Sequence, residues 1–399
     1  MLPNTSTEFK FESNLQLLLR YIEHNQYRGF DLYDGLKITD SPILLKNRYI
    51  NSFLTQSFKL SPVNVRKLVG IKPTKMPKAM GLFLNCYALL AEITVDKDQS
   101  ESYLNKAKPI LAWLEANCAQ GYGGPCWNFG FNYRQMFDTP TVVITSIIAK
   151  GLFNYYNVTK CEQAKRILLK IADFILSDLP TTTTDDGLCF SYTPIQRECC
   201  FNASMLATET LAKIYFLTNE QKLLDYICRS VDFTIAYQKD DGRWNYRVDT
   251  ATGNERAQVD FHQGYVVESL YDTIKYAGLN DPKYEKALHR GTEFYYKEQF
   301  FPDGRAKRRL PRIWPVDIHN QSQGIITFSK LCELDSQYLG FSKTIAQWTI
   351  DHMQNRSGYF YFQVYPHFTN KIAYMRWSQA WMALALIELK KAWKNSFSK

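Results

Sequence analysis

The chain has 399 residues, 45% hydrophobic and 22% charged, a globular balance that excludes a disordered or low-complexity protein. Lys and Arg outnumber Asp and Glu by 48 to 39, a formal charge of +9; this favours an anionic ligand, but no nucleic-acid-binding module accompanies it. No stretch approaches the ~20 uninterrupted apolar residues of a membrane span. The polar residues 1–10 are unlike a secretory leader, and the nine scattered cysteines read as reduced thiols, so a cytoplasmic protein is expected.

In chain order, residues 12–24 place Leu15, Leu18, Leu19 and Ile22 on one helical face, and a polar turn carrying Asp31, Tyr33 and Asp34 follows. Residues 46–77 give no clear pattern. Beyond them apolar helices begin at Asn85, Thr141, Asn202, His262, His319 and Ser378, spaced by roughly 60 residues, which marks a repeat. These helices are apolar nearly all round, as in Met205-Leu-Ala-Thr-Glu-Thr-Leu-Ala, and so are expected to be buried on most sides. Amphipathic helices follow at 102–117, 162–177, 223–235, 283–298 and 341–353.

Closing turns share a grammar. Gln238 stands four residues before Gly242 and six before Trp244, and Gln354, Gly358 and Phe360 repeat those offsets. Glycine there supplies the positive φ that stops a helix, with short extended segments after it. Five helix pairs leave the last apolar helix, 377–389, without an outer partner, and helix 12–24 can supply it. The expectation is an all-α fold, a single (α/α)6 toroid domain over 1–399 of inner and outer helix rings, closed by the two chain ends.

Several motifs add a family likeness. They are Gly29-Phe-Asp31-Leu-Tyr33-Asp34-Gly35-Leu36, Cys126-Trp127-Asn-Phe-Gly-Phe with Thr139-Pro140-Thr141, and Phe201-Asn202-Ala-Ser204. Val259-Asp260-Phe-His262-Gln-Gly264 and Pro315-Val316-Asp317-Ile-His319-Asn-Gln321 complete the set. The chain resembles the six-hairpin glycosidase superfamily, and within it bacterial proteins found with surface-polysaccharide biosynthesis genes. The resemblance implies a carbohydrate-active protein with its substrate at the wide mouth, where the inner helices begin, and no cofactor.

The repeat register itself gathers polar groups at that mouth. Asp260-Phe-His262 and Asp317-Ile-His319 sit at two successive inner-helix starts. An Asp can orient a His or act as acid or base itself, although Asp also caps helices. With Asp31 they form the candidate catalytic set: Asp260, His262, Asp317, His319 and Asp31. Aromatics near the helix starts offer faces for sugar rings: Tyr33, Trp127, Tyr133, Tyr192, Trp244, Tyr246, Tyr365 and Trp377. Asp34, Asn202 and Gln263 offer hydrogen bonds, and Arg308, Arg312 and Arg376 would hold the carboxylates of an acidic oligo- or polysaccharide.

Glycoside hydrolysis needs two carboxylates, which Asp31, Asp34, Asp260 and Asp317 supply. Uronate elimination or C5 epimerisation needs a base, a proton donor and a cation on the carboxylate, roles suited to His262, His319, Tyr133, Tyr192, Tyr246 and Arg308. A glycan-binding scaffold without catalysis is the third reading. No HExxH, CxxC or GxxxxGK[ST] pattern points to a metal or nucleotide.

Overall fold

The computed structural model describes residues 9–34, 49, 53, 56–58, 61–130 and 139–397. Among them are twelve α-helices: α1 (Glu12–His24), α2 (Pro77–Ile93), α3 (Lys97–Ala116), α4 (Val142–Thr159), α5 (Glu162–Asp173), α6 (Phe201–Thr218), α7 (Gln221–Ala236), α8 (His262–Ala277), α9 (Pro282–Glu298), α10 (Ile318–Leu331), α11 (Gln337–Met353) and α12 (Ala380–Asn395). A π-helical turn, Met375–Gln379, leads into α12.

Helices α2, α4, α6, α8, α10 and α12 form an inner ring in which each packs on the next, and α12 packs on α2. The outer helices α3, α5, α7, α9, α11 and α1 each lie against an inner one, with α1 against α12. The architecture is therefore an (α/α)6 toroid. The inner helices are buried almost along their whole length, as their all-round apolar sequences require.

One boundary differs from the sequence expectation. The first inner helix begins at Pro77, not Asn85, because proline's missing N–H costs nothing at the first helical position. Asn85 lies mid-helix and accepts a 2.7 Å hydrogen bond from Asn154 of α4.

The repeated turns have a physical origin. The Gln238 amide donates to the Gly242 carbonyl and to the Ala287 carbonyl on α9, both at 2.9 Å. Gln354 does the same at 3.0 Å with Gly358 and with Asn14 of α1. Gly358 has φ +98, and a Cβ there would stand 2.3 Å from the Leu17 carbonyl oxygen, so only glycine lets this turn press onto α1 and close the ring.

From inside, a polar side chain near five of the six inner-helix starts takes the turn's backbone N–H. Thr145 accepts from Trp127, Ser204 from Phe190, Gln263 from Trp244, Gln321 from Ala306 and Gln379 from Phe360, at 2.6–3.2 Å. Short strands edge the same end. β1 (Thr181–Thr184) pairs with β2 (Gly187–Phe190). β3 (Cys199–Cys200) pairs with β4 (Arg247–Val248), and β4 with β5 (Glu255–Arg256). β6 (Val316–Asp317) pairs with β7 (Gln363–Val364), and β7 with β8 (Thr369–Asn370), setting Asp317 opposite Gln363.

Deeper in the ring, charges alternate in a closed circuit. Lys213 pairs with Glu209, Glu209 with Lys150 at 2.8 Å, and Lys150 with Glu268 at 3.0 Å. Glu268 pairs with Lys330 at 3.0 Å, Lys330 with Asp272 at 2.9 Å, and Asp272 returns to Lys213 at 2.7 Å. The circuit ties α4, α6, α8 and α10 together beside a cavity of about 550 Å³ that Tyr265, Trp381 and Glu388 also line.

Candidate functional site

The inner-helix starts bring most of the expected polar set into one constellation. His262 opens α8. Its Nδ1 lies 2.5 Å from Asp260 Oδ1, and its backbone N–H donates to the same oxygen at 3.2 Å. Gln258 donates to the other carboxylate oxygen at 2.9 Å. Burial opposes ionisation of Asp260, but the imidazole and these donors outweigh it and hold the carboxyl below the usual range. An ionised carboxylate only accepts, so Nδ1 carries the proton and Nε2 is left without a partner among the described residues. The His262 side chain is 21% exposed.

The second Asp-x-His pair is arranged differently. Asp317 accepts from the His319 backbone N–H at 3.0 Å, Gln363 Nε2 at 2.6 Å and Trp377 Nε1 at 2.9 Å, and pairs with Arg308 at 3.1 Å. It caps α10 and does not touch the His319 ring. That ring instead places Nε2 2.7 Å from the Tyr265 hydroxyl and Nδ1 3.5 Å from the Trp377 carbonyl. The carbonyl can only accept, which makes Nδ1 the donor and lets Tyr265 donate to Nε2. Burial, and then the charge that Lys78 carries when protonated, push the His319 pKa well down. It is a neutral imidazole at neutral pH.

Aromatic rings bind the two histidines into one wall. Phe261 stacks on His262 at 4.2 Å and meets His319 edge-on at 4.4 Å; Trp377 stacks on the other side of His319 at 4.4 Å. Tyr246 meets His262 edge-on at 4.9 Å. Tyr33 and Trp377 flank the Arg376 guanidinium at 6.0 and 5.8 Å. Tyr365 donates to Gln363 at 3.0 Å and so backs Asp317.

Asp31 is fully buried and makes two parallel bonds with Arg376, 2.7 and 2.8 Å. Asp34 accepts from the Asp31 backbone N–H at 2.5 Å and pairs with Arg66 at 3.5 Å. The Arg66 guanidinium also donates to the Asp31 carbonyl at 3.0 and 3.2 Å. The buried Asn202 accepts from Cys200 Sγ, and Tyr192 is half-buried.

Some expected residues are placed elsewhere. Trp127 and Trp244, expected as sugar platforms, are 0% and 3% exposed, with indole N–H groups donating to the outer-helix carbonyls of Leu114 and Thr234. They fill the space between the rings, because each follows the clamped turn directly. The Gln263 amide is spent on that turn, donating to the Gly242 and Gly291 carbonyls besides accepting from Trp244. Arg312 is exposed in a tight reversal with Arg309. Tyr133 lies outside the described residues.

Lys78, in the first turn of α2, escaped the sequence reading because the helix start was set too late. It is 7% exposed. Its Nζ lies 5.2 Å from the centre of the Trp381 ring and 5.9 Å from that of Tyr265, the partner of His319. The signal available was a lone lysine directly after Pro77 in an otherwise apolar run.

Among the described residues no cluster of His, Cys, Asp and Glu is arranged to hold a metal, and no helix is long and apolar enough to cross a membrane. No protein-family model matches the chain, and no curated protein matches it in sequence. Solved structures do match in fold. A cellobiose 2-epimerase from Bacillus thermoamylovorans is 16% identical with a TM-score of 0.63, covering 79% of this chain and 88% of its own. A family 76 glycoside hydrolase, an α-mannanase from Bacteroides thetaiotaomicron, is 14% identical with the same TM-score, covering 81% and 88%. The Lin0763 protein from Listeria innocua is 12% identical at TM-score 0.63 over 98% of this chain and 99% of its own. These likenesses converge on one architecture: the chain shares the (α/α)6 toroid fold of these proteins.

Proposed function

We propose that the protein is a carbohydrate-active enzyme that transfers a proton at a carbon beside a carboxyl group of an acidic saccharide, by epimerisation or elimination. The observation that carries this is His262, held in one tautomer by Asp260 with Nε2 unpartnered and partly exposed at the mouth. A base so oriented can take a proton from carbon. His319 and Tyr265 form a second, buried hydrogen-bonded pair on the other side of Phe261, and epimerisation would use it as the second proton-carrying group.

Glycoside hydrolysis is less well supported, because it needs two carboxylates directed at one bond. Asp31, Asp34 and Asp317 are engaged with Arg376, Arg66 and Arg308, which makes them positioning groups in this reading. Half-buried Tyr33, Tyr246, Tyr365 and Trp377 supply faces for sugar rings. The solved toroids named above include an epimerase as well as a glycoside hydrolase. A cytoplasmic role in making or remodelling a surface polysaccharide fits the motif resemblance.

The test is NMR of the protein with uronate-containing and neutral oligosaccharides in D2O. Deuterium entering at the carbon beside the carboxylate, or an unsaturated product, supports proton transfer. New saturated reducing ends would establish hydrolysis instead, and binding without turnover would leave a glycan-binding protein.

A further inference from the structure

Charges at the mouth are matched almost one for one. Arg376 has Asp31, Arg66 has Asp34, Arg308 has Asp317, and Asp260 has His262. Lys78 breaks the pattern. Its ammonium has no hydrogen-bond or ion-pair partner among the described residues, although the side chain is over nine-tenths buried. What faces it are two aromatic rings, Trp381 from α12 and Tyr265 from α8. The Arg376 guanidinium before α12 and His319 on α10 act on it as well, and the nearby carboxylate, Asp31, is consumed by its bidentate bonds to Arg376. A buried cation without a counter-charge is costly and resolves in one of two ways: it sheds its proton, or it acquires an anion.

We propose that Lys78 is the anion-binding subsite of the mouth, holding a carboxylate or phosphate oxygen of the saccharide against the Trp381 and Tyr265 rings, and that it takes up a proton when the anion arrives. The inference rests on the reading of the mouth as a site for an acidic saccharide. It moves the recognition of charge from Arg308 and Arg376, which already have carboxylate partners, to one lysine that has none. Burial, followed by the Arg376 charge, pushes the Lys78 pKa well down against a smaller opposing effect of Asp31, which favours the uncharged amine while no anion is present. A bound anion reverses that balance, and the proton comes from solvent. Held by Lys78 next to Tyr265, which bonds His319, the anion would sit beside the proposed proton-transfer groups.

Titration calorimetry of the full chain at near-neutral pH tests this, using oligoglucuronate, the matching neutral cello-oligosaccharide and inorganic phosphate in two buffers of different ionisation enthalpy. The wild-type protein is expected to prefer oligoglucuronate by roughly tenfold or more, the scale of a charge-assisted bond, with close to one proton taken up. Lys78→Met should lose both the preference and the uptake. Lys78→Arg should keep the preference without the uptake, since guanidinium is always charged. Phosphate binding with the same Lys78-dependent uptake makes phosphate an accepted anion, and uptake with oligoglucuronate alone makes it the carboxylate; either supports the assignment. Equal binding by wild type and Lys78→Met without uptake overturns the role of Lys78 and leaves the acidic-saccharide reading intact. If the wild-type protein binds the neutral oligosaccharide but neither anion, both fall and only a sugar site remains.

Discussion

Asp31 and Arg376, 345 positions apart in the chain, meet in two parallel hydrogen bonds at the seam where the ring closes. The loop leaving α1 is thereby fastened to the turn entering α12, and the Asp31 carbonyl is fastened to Arg66 as well. Both charges are buried, so removing one strands the other. Arg376→Met is expected to cost about 3–5 kcal/mol, the penalty for an uncompensated buried charge. Arg376→Lys should cost less, keeping the charge but losing the fork geometry. Urea unfolding measures both, and a loss under ~1 kcal/mol for Arg376→Met, the range of an exposed pair, would show that the seam is held by packing alone.

The circuit of Lys213, Glu209, Lys150, Glu268, Lys330 and Asp272 makes a parallel prediction with an internal control. Lys213 touches two carboxylates on neighbouring inner helices, so Lys213→Met should destabilise by about 3–5 kcal/mol. Lys283, on the surface, also touches two carboxylates, Asp232 and Asp281. Lys283→Met should cost under ~1 kcal/mol, because water screens that pair. Equal losses would contradict the claim that burial sets the difference.

Acid should unfold the protein partly through this circuit. Burial works against the charge on Glu268 and Asp272, but the Lys150, Lys213 and Lys330 ammonium groups outweigh it; Glu268 is held at about 2 and Asp272 well below the carboxylate range. In the unfolded chain both titrate near pH 4. The unfolded state therefore binds more protons below that pH, and stability present above about pH 4 is lost as pH falls toward the folded values. Glu388 has the opposite sign. Buried, with no hydrogen-bond partner among the described residues, its carboxyl is pushed up by burial against the pull of Lys330 and Lys391. Its cost is absent below the unfolded value and grows as pH rises through the folded one. Glu388→Gln should stabilise the protein at neutral pH, with the gain vanishing below about pH 4. A gain independent of pH would mean that packing, not charge, explains it.

The repeat was legible because each hairpin must solve the same packing problem. Gln238 and Gln354, with Gly242 and Gly358 at fixed offsets, announce the turn that must press on the next outer helix. The Asp-x-His starts were legible for the same reason, since a helix entering the mouth needs a cap. The roles of individual side chains were less so. Trp127 and Trp244 look like sugar platforms in sequence, and only the clamp on their backbone N–H groups turns them inward. Asp260 and Asp317 share a motif, yet one holds its histidine ring and the other does not. That difference arises from Gln363, Trp377 and Arg308, which converge on Asp317 from distant segments. Lys78 was hidden by a boundary error of two helical turns.

The two Asp-x-His pairs should therefore respond differently to the same substitution. Asp260→Asn keeps a side-chain acceptor for the His262 backbone N–H, and the half-exposed Gln258 amide can turn to accept from the new NH2, so the turn into α8 survives at a small cost. It removes the charge that stabilises a protonated imidazole, and turnover should fall by about 10²–10⁴, the usual weight of general acid–base catalysis. His262→Gln should lose a similar factor while remaining folded. Asp317→Asn removes the counter-charge of Arg308 and puts an NH2 in place of one of the two oxygens to which Gln363 and Trp377 donate, so it should cost about 1–3 kcal/mol of stability. Steady-state rates on the substrate identified by NMR, set beside urea unfolding of each variant, separate the two cases. Near-wild-type turnover in His262→Gln would remove His262 from the chemistry.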